Sequence, residues 1–384
     1  MSNILIGISG GIAAYKVCYL IREFIKSGNS VKVIMTANAA EFVSPLTFET
    51  LSGNIVYINT FSDYGEYSPE HISLSKWADI FLVAPATANI IGKFRAGIAD
   101  DLLSTEYLAF KKPVVIAPAM NDAMYEHPAV AENISMLRKR GVFVIEPDYG
   151  ELACGGEGVG RLPSVEKIAA VVYRNLEKDS SMSGKKIVVT GGALYEPIDP
   201  VRIISNRSSG KMASAFIDAA YRMKAESITF VHGRLDIELP FVSENIFAPT
   251  ASEMLLKLQS IIEGKDILIM AAAVSDFKPE YSNEKIKKKN GIDIHLSDNI
   301  DILKQLQKVK LLKIGFALET NNSESNALKK MSEKKLDYIV LNSPDNLESD
   351  KGSCTLFSSN GEKVIIENVN KFEMAEKILR WIKC

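Results

Sequence analysis

Ile4-Leu5-Ile6-Gly7-Ile8-Ser9-Gly10-Gly11-Ile12-Ala13-Ala14-Tyr15-Lys16 decides the architecture of this chain. The first five residues form a short apolar run, the pattern of a strand buried on both faces of a parallel sheet. Ser9-Gly10-Gly11 breaks the run, and residues 12–26 then carry Ala13, Val17, Leu20, Ile21 and Phe24 at helical spacing. Gly28 ends that helix, and residues 31–35 read as the next strand. Outward from this unit the alternation continues, with strands over 80–84, 114–117 and 142–145 separated by helical stretches. Strand and helix in alternation are the signature of an α/β fold with a parallel sheet.

The polar stretch Lys178-Asp-Ser-Ser-Met-Ser-Gly-Lys185 interrupts the pattern as a linker. The theme then restarts with a strand over 186–190, a Gly191-Gly192 turn, a helix over 209–223 and a strand over 227–231. A helix over 251–262, strands over 267–270, 314–317 and 338–341, and a final helix over 371–382 complete it. The reading is α/β: two Rossmann-like domains with mainly parallel sheets, 1–182 and 183–384. Length agrees, since 384 residues at about 150 per domain allow two or three.

Hydrophobic residues at 47% and charged residues at 24% are those of a globular protein and exclude disordered, fibrous and coiled-coil classes. A net charge of −2 argues against binding nucleic acid or an acidic membrane by bulk electrostatics. The total hides an asymmetry: the first 182 residues hold 16 Lys and Arg against 20 Asp and Glu, the remainder 29 against 27. Cys18, Cys154, Cys354 and Cys384 have neither zinc-site nor disulfide spacing, which points to a reducing cytoplasm. The N-terminus shows no basic, cleavage-like leader, and no apolar run approaches the roughly 18 residues that span a bilayer.

Several strand ends carry chemistry. Ser9-Gly10-Gly11 feeds a helix N-terminus, where backbone N–H groups and the helix dipole favour an anion. It lacks the full dinucleotide fingerprint, so a mononucleotide phosphate fits better than a pyrophosphate, and a plain glycine turn is the bland alternative. Pro85-Ala86-Thr87-Ala88-Asn89 and Pro118-Ala119-Met120-Asn121 lie where ligands bind in open α/β sheets, with small residues leaving room. Gly150-Glu-Leu-Ala-Cys154-Gly155-Gly156-Glu-Gly158-Val-Gly160-Arg161 is so rich in glycine that it reads as a mobile flap closing over an anionic substrate. His71 is as readily structural as catalytic on residue type alone.

These stretches, with His71-Ile-Ser-Leu74 and Pro118-Ala-Met-Asn-Asp-Ala-Met124, resemble the flavin-dependent cysteine decarboxylases across 1–180, most closely the phosphopantothenoylcysteine decarboxylases. Tyr125 and Leu162 are small departures from that pattern. The resemblance implies a flavodoxin-like flavoprotein domain binding FMN through Ser9, Gly10, Gly11, Pro85, Thr87, Asn89, Ala119 and Met120. FMN oxidation of the cysteine thiol to a thioaldehyde would place an electron sink β to the carboxylate; after CO2 leaves, reduction restores the thiol. It further implies that His71 works at the reacting thiol, Asn121 holds the substrate carboxylate and Cys154 supplies a proton.

In the second half, Glu196-Pro-Ile-Asp-Pro-Val-Arg202-Ile-Ile-Ser-Asn206-Arg-Ser-Ser-Gly-Lys211 is the densest polar stretch. Ser208-Ser209-Gly210 opens a helix, with Arg202, Arg207 and Lys211 adjacent, and Ala271-Ala-Ala-Val-Ser-Asp276 follows a buried strand. Glu284-Lys285-Ile-Lys287-Lys288-Lys289 is a lysine cluster that fits neutralisation of a triphosphate, although a solvated loop is the usual fate of such a run.

Together with Gly315-Phe-Ala-Leu-Glu-Thr320 and Ile339-Val-Leu-Asn342, these segments are similar to the phosphopantothenate–cysteine ligases. In many bacteria the two activities are fused in this order. The ligase resemblance implies CTP-dependent activation of 4′-phosphopantothenate to an acyl-cytidylate, then displacement of CMP by cysteine, with Mg2+ accompanying the triphosphate. Asn206 would bind the acyl-cytidylate and Lys285 support its formation. Arg202 and Ala272 would line the intermediate site and Asp276 would contact cytidine, with Lys287, Ser208, Gly210 and Phe316 also at the nucleotide. Ala193 and Leu194 depart from the family's Thr-small-Gly-Gly-Thr turn, and Ser343-Pro344 from its sequence after Asn342.

The resemblance also implies a homo-oligomer, with trimeric decarboxylase contacts and dimeric ligase contacts combining into a dodecamer. Two alternatives stand beside it: a related flavin-dependent cysteine decarboxylase, acting on a peptide's C-terminal cysteine, or a flavin prenyltransferase relative; and a non-catalytic flavoprotein regulatory subunit. A cytidylate-forming module argues against the first, and the presence of His71, Asn121 and Cys154 against the second.

Overall fold

A computed structural model of the chain describes residues 1–60, 70–151, 155–287, 293–318, 323–342, 349 and 351–382, without the side chains of Glu70 and His71. The chain divides into two compact units, Met1–Lys178 and Asp179–Cys384.

In the first unit the strands are β1 (Asn3–Ile8), β2 (Ser30–Met35), β3 (Val56–Tyr57), β4 (Ile80–Ala86), β5 (Val114–Pro118), β6 (Phe143–Val144), β7 (Asp148–Glu151) and β8 (Glu157–Arg161). The first six form one sheet in the order β3-β2-β1-β4-β5-β6, every pairing parallel. Period-two alternation splits β1 between two cores. Ile4, Ile6 and Ile8 join Val17, Leu20, Ile21 and Phe24 of the following helix, while Leu5 packs on the other face with Phe81 and Ile90. The chain doubles back on either side of β1, so β1 and β4 form the switch point where doubly wound sheets leave a crevice. One detail differs from the helix read over 12–26. Residues Ile12–Lys16 form a 3-10 turn, and the α-helix begins only at Val17.

The glycine-rich segment expected as a flap forms a hairpin on both sides of residues 152–154, with β7 antiparallel to β8. Close approach explains its glycine. A Cβ at Gly160 would lie 2.2 Å from the carbonyl oxygen of Met120, and the Met120 N–H donates to Gly160 O at 3.0 Å. Glycine here lets the hairpin lie flat against the strand-end loop that carries Asn121.

In the second unit the strands are β9 (Lys186–Gly191), β10 (Tyr195–Pro197), β11 (Ile203–Ser205), β12 (Ser227–His232), β13 (Glu244–Phe247), β14 (Ile267–Met270), β15 (Phe277–Pro279), β16 (Leu296–Asp298), β17 (Leu312–Leu318), β18 (Tyr338–Asn342), β19 (Lys351–Ser358) and β20 (Lys363–Asn370). Eight of them form one sheet in the order β13-β12-β9-β14-β17-β18-β19-β20. Pairing is parallel from β13 to β18, and β19 and β20 extend it antiparallel. Two further hairpins, β10 with β11 and β15 with β16, stand apart from the sheet. Ile187 and Val189 face one core with the helices Lys211–Arg222 and Lys371–Trp381, and Val188 faces the other with Met254 and Leu258.

Candidate functional site

The carboxyl ends of β1, β4 and β5 bring the first half's candidate residues to one edge. Gly7 pairs with Val83, Val83 with Ile116, and Ala86 with Pro118, so Ser9, Thr87 and Ala119 leave three neighbouring strands together. Ser9 is buried, and its hydroxyl is spent inside the protein: Oγ donates to Pro85 O at 2.7 Å and accepts from Thr87 N–H at 3.0 Å. That hydroxyl stitches the ends of β1 and β4 rather than pointing at a ligand. Gly10 is required by packing as well, since a Cβ there would stand 2.5 Å from Asn38 Cβ, whereas one at Gly11 would meet only Thr87 Cγ2 at 3.6 Å. Gly11 opens the 3-10 turn with no side chain capping it, which leaves that terminus to an anion by the helix-terminus argument.

Around this turn, Pro85 is buried, Thr87 caps the helix Ala88–Ala96 through the Ile90 N–H, and Asn89 is exposed in the helix's first turn. Ala119, Met120 and Asn121 are half-buried on the loop that the hairpin backs. Asn121 Oδ1 accepts from the Ala123 N–H at 3.0 Å and caps the helix Asp122–Glu126. Burial and the Arg161 charge lower the pKa of Lys16, with Asp148 opposing. His71 lies on the helix Glu70–Trp77, but its side chain falls outside the described residues, as does Cys154.

That helix is tied to Leu102–Ala109 by a contact that sequence reading missed. Ser75 Oγ donates to Glu106 Oε1 at 2.7 Å. Glu106 is fully buried, and Oε2 has no partner among the described residues. Burial pushes the carboxyl up to about 7, with the Ser75 bond pulling the other way.

In the second unit Thr190, Met270 and Gly315 stand side by side on β9, β14 and β17, which carries Gly191-Gly192, Ala272 and Phe316 to one edge. Thr190 Oγ1 accepts from the Ala272 N–H at 3.2 Å. The Ala193 and Leu194 departures are both buried, Leu194 in the core with Val188 and Val231. The Ala193 N–H goes to Arg234 O at 2.9 Å and the Leu194 N–H to Ala273 O at 3.1 Å, so both donors lock the turn and neither faces a phosphate. Phe316 is half-buried with its ring edge-on to Phe216. Gly210 heads the helix Lys211–Arg222 with no side-chain cap, after half-buried Ser208 and exposed Asn206.

Asp276 is exposed on a turn that Asn299 holds: the Asn299 N–H donates to Asp276 O at 2.8 Å, and its amide donates to Ser275 O and to buried Glu196 Oε1. Arg202 does not point freely into the edge. Its Nη1 bonds Asp199 Oδ2 and Ile286 O, both at 3.0 Å. Burial alone would raise the pKa of Asp199, yet N–H bonds from Val201, Ile286 and Arg202, with the Arg202 charge, hold it below the usual carboxylate range. Lys285 and Lys287 are exposed on either side of Ile286. Lys288, Lys289, Glu319-Thr320 and Ser343-Pro344 lie outside the described residues. Asp199, Glu196 and Asn299 are the residues that sequence reading left without a role.

Residues 1–177 match the family model described as Flavoprotein, and residues 182–384 match that of the DNA/pantothenate metabolism flavoprotein C-terminal domain. The chain is 41% identical to the coenzyme A biosynthesis bifunctional protein CoaBC of Bacillus subtilis (strain 168), over 99% of this chain and 96% of that protein. It is 38% identical to the protein of the same name from Vibrio vulnificus (strain CMCP6), over 99% and 97%. A crystal structure of the C-terminal domain of a CoaBC protein is 34% identical, covering 53% of this chain and 95% of that one at a TM-score of 0.46. Two family models in tandem and relatives aligned end to end place the chain in the CoaBC family of bifunctional coenzyme A biosynthesis proteins.

Proposed function

We propose that the chain carries out two consecutive reactions, with 183–384 as the ligase domain and 1–182 as the decarboxylase domain. The ligase joins 4′-phosphopantothenate to L-cysteine: the carboxylate attacks the α-phosphate of CTP, pyrophosphate leaves, and the cysteine amine displaces CMP from the acyl-cytidylate. The decarboxylase converts 4′-phosphopantothenoylcysteine to 4′-phosphopantetheine and CO2. What carries this reading is a polar, glycine-opened strand edge in each unit of a chain that aligns end to end with bifunctional relatives.

In the first unit the uncapped turn at Gly11 fits a flavin mononucleotide phosphate. Ser9 and Gly10 hold that turn in place, and Pro85, Thr87, Asn89, Ala119 and Met120 line the remaining edge. When bound, FMN would supply the reversible two-electron chemistry that oxidises the substrate thiol and so creates a sink for the electron pair that CO2 leaves behind. Asn121 holds the substrate carboxylate with a neutral amide, which avoids pinning its charge in the ground state. His71 positions the reacting thiol, and Cys154 delivers the final proton.

In the second unit Asn206, Arg202 and Ala272 bind the acyl-cytidylate, and Asp276, Ser208, Gly210 and Phe316 surround the nucleotide. Lys285 and Lys287 meet the negative charge that grows at the phosphates as the carboxylate attacks. Mg2+ would accompany CTP and neutralise its phosphates; among the described residues no group of three or more His, Cys, Asp or Glu gathers as a metal site. Assembly is homo-oligomeric, trimeric through the first unit and dimeric through the second, up to a dodecamer. Exposed Ile12, Tyr15 and Tyr19 at helical spacing, and exposed Ile203 and Leu296 on the two hairpins, support such contacts.

The test is one reaction with purified protein, FMN, CTP, Mg2+, 4′-phosphopantothenate and cysteine, followed for pyrophosphate, CMP, CO2 and phosphopantetheine. All four are expected. Absence of pyrophosphate removes the ligase half, and phosphopantothenoylcysteine accumulating without CO2 removes the decarboxylase half.

A further inference from the structure

Asp199 lies between two prolines in a turn of the second unit, and its side chain is 0% exposed. Each carboxylate oxygen does a different task. Oδ1 accepts the N–H groups of Val201 and Arg202, both at 2.8 Å, and closes the 199–202 turn. Oδ2 reaches a segment 87 residues away, accepting the Ile286 N–H at 3.1 Å and Arg202 Nη1 at 3.0 Å. The same Nη1 donates to Ile286 O, so residue 286 is gripped at both its N–H and its C=O. Four residues earlier the Ser282 N–H donates to Ile198 O at 2.9 Å. The stretch 282–286 is therefore a strap fastened at both ends to 198–202, and Lys285 and Lys287 bracket its second fastening.

We propose that Asp199 is a positioning residue for the ligase reaction: through the backbone of residue 286 and the guanidinium of Arg202, it sets where Lys285 and Lys287 stand. The inference rests on the ligase reading of this unit. A cation at a phosphate accelerates attack only to the extent that it is in place before charge develops, because ordering it during the reaction offsets the gain. Lysine is the side chain for which this matters most, being a point charge on a long flexible stem with no fork to orient it. Fastening the chain at residue 286 removes backbone freedom beneath both lysines while leaving their stems exposed. Two charge-assisted bonds from one buried carboxylate suit that fastening better than neutral bonds.

The chemistry of Oδ2 offers a selective variant. In Asp199→Asn the amide oxygen can still accept Val201 and Arg202, but the amide N–H2 would then face the Arg202 and Ile286 donors, so the turn survives and the strap is released. Ile286→Pro removes the other partner of the same bond. With the full chain, pyrophosphate release from CTP and phosphopantothenate reports the first half-reaction, and the KM for cysteine reports the second. Both variants are expected to slow pyrophosphate release by roughly tenfold or more, through kcat, with the cysteine KM unchanged. The double variant should be no slower than the worse single one, as for two cuts in one tie. Combining Asp199→Asn with Lys285→Gln should likewise add little to Lys285→Gln alone.

If Asp199→Asn releases pyrophosphate at the parent rate while Lys285→Gln is slow, the positioning role is wrong and the ligase site stands. If Lys285→Gln is itself as fast as the parent, the ligase reading of this strap falls and the inference with it. Should Asp199→Asn unfold, Ile286→Pro decides the matter alone, since it leaves the carboxylate and its turn intact.

Discussion

Glu106 in the first unit and Asp199 in the second are both buried carboxyl groups, and they are pushed in opposite directions. Glu106 receives one hydroxyl bond, keeps one oxygen without a partner among the described residues, and has a pKa of about 7. Asp199 receives three backbone N–H bonds and a guanidinium, and sits below the usual carboxylate range. Burial is common to both, so donors decide which acid is charged. The contrast extends to the two edges. Near β1 the contacts are neutral, through the Ser9 hydroxyl and the Gly10–Asn38 packing. Near β9 carboxylates take part in the holding, Asp199 on the Ile286 N–H and Glu196 on the Asn299 amide.

The largest expected effect comes from Glu106, and it has a definite sign. Its folded pKa lies above the unfolded value of 4.5, so its contribution is fully present below pH 4.5 and is lost as pH rises through about 7. Spread over that interval the loss is roughly 3 kcal/mol at 1.36 kcal/mol per unit. The chain has two tryptophans, Trp77 in the first unit and Trp381 in the second, so single-tryptophan versions of the full chain report each unit by urea unfolding. Glu106→Gln should flatten the Trp77 curve between pH 5 and 8 and leave the Trp381 curve as it was. An unchanged Trp77 slope would mean that Glu106 is ionised in place, and the contrast with Asp199 would break. Asp199 runs the other way: what it contributes is present above the ordinary carboxylate pKa and is lost as pH falls through its lowered folded value.

Neither acid announces itself in the sequence, and the reason is physical. Parallel strands were legible because residues such as Ile4, Leu5, Ile6 and Ile8 are apolar on both faces, which only a doubly covered sheet rewards. The antiparallel extension was not: Lys363–Asn370 is a half-exposed edge strand and Lys351–Ser358 beside it is exposed at its start, so neither shows the continuous apolar run of the parallel strands. Candidate site residues were legible where a motif places small and polar groups at a strand end, as at Thr87, Asn121 and Ala272. Asp199 stood inside the stretch quoted for its polarity, yet its partner is a backbone N–H 87 residues on, and no residue type encodes such a donor. A lone Glu in the helix Leu102–Ala109 looks like a solvent-facing position, and only the packing of Ser75 above it shows otherwise.

A second acid separates charge from donor count. Glu196 is buried, and its Oε1 accepts the Ala251 N–H at 3.1 Å and the Asn299 amide at 2.9 Å. If donors govern, Glu196→Gln should be nearly silent, because an amide oxygen can take both bonds. Glu196→Ala should cost about 2 kcal/mol by leaving two buried donors without an acceptor. The Trp381 unfolding midpoint measures both variants. Equal losses in the two would show that the charge itself holds the β10 hairpin to the Asp276 turn.

The smallest effect is the most discriminating. Ser75→Ala removes the one bond that Glu106 receives among the described residues, and at pH 5, where the acid is neutral, the loss should be about 1 kcal/mol. Above pH 7 the loss should be larger, because a hydroxyl donor stabilises the ionised carboxylate more than the neutral acid. That is the same statement as a Glu106 pKa raised beyond its present value, since the Ser75 bond is what opposes burial there. The Trp77-reported difference between parent and variant must therefore grow from pH 5 to pH 8. A constant difference would reduce Ser75 to packing, and would leave Glu106 with no donor that responds to its charge. A growing one carries further than stability, because Ser75 lies one helical turn after His71 on the helix Glu70–Trp77. Under the role proposed for His71, ionising Glu106 then loads the element that carries it, and the decarboxylase pH profile should shift upward in Ser75→Ala.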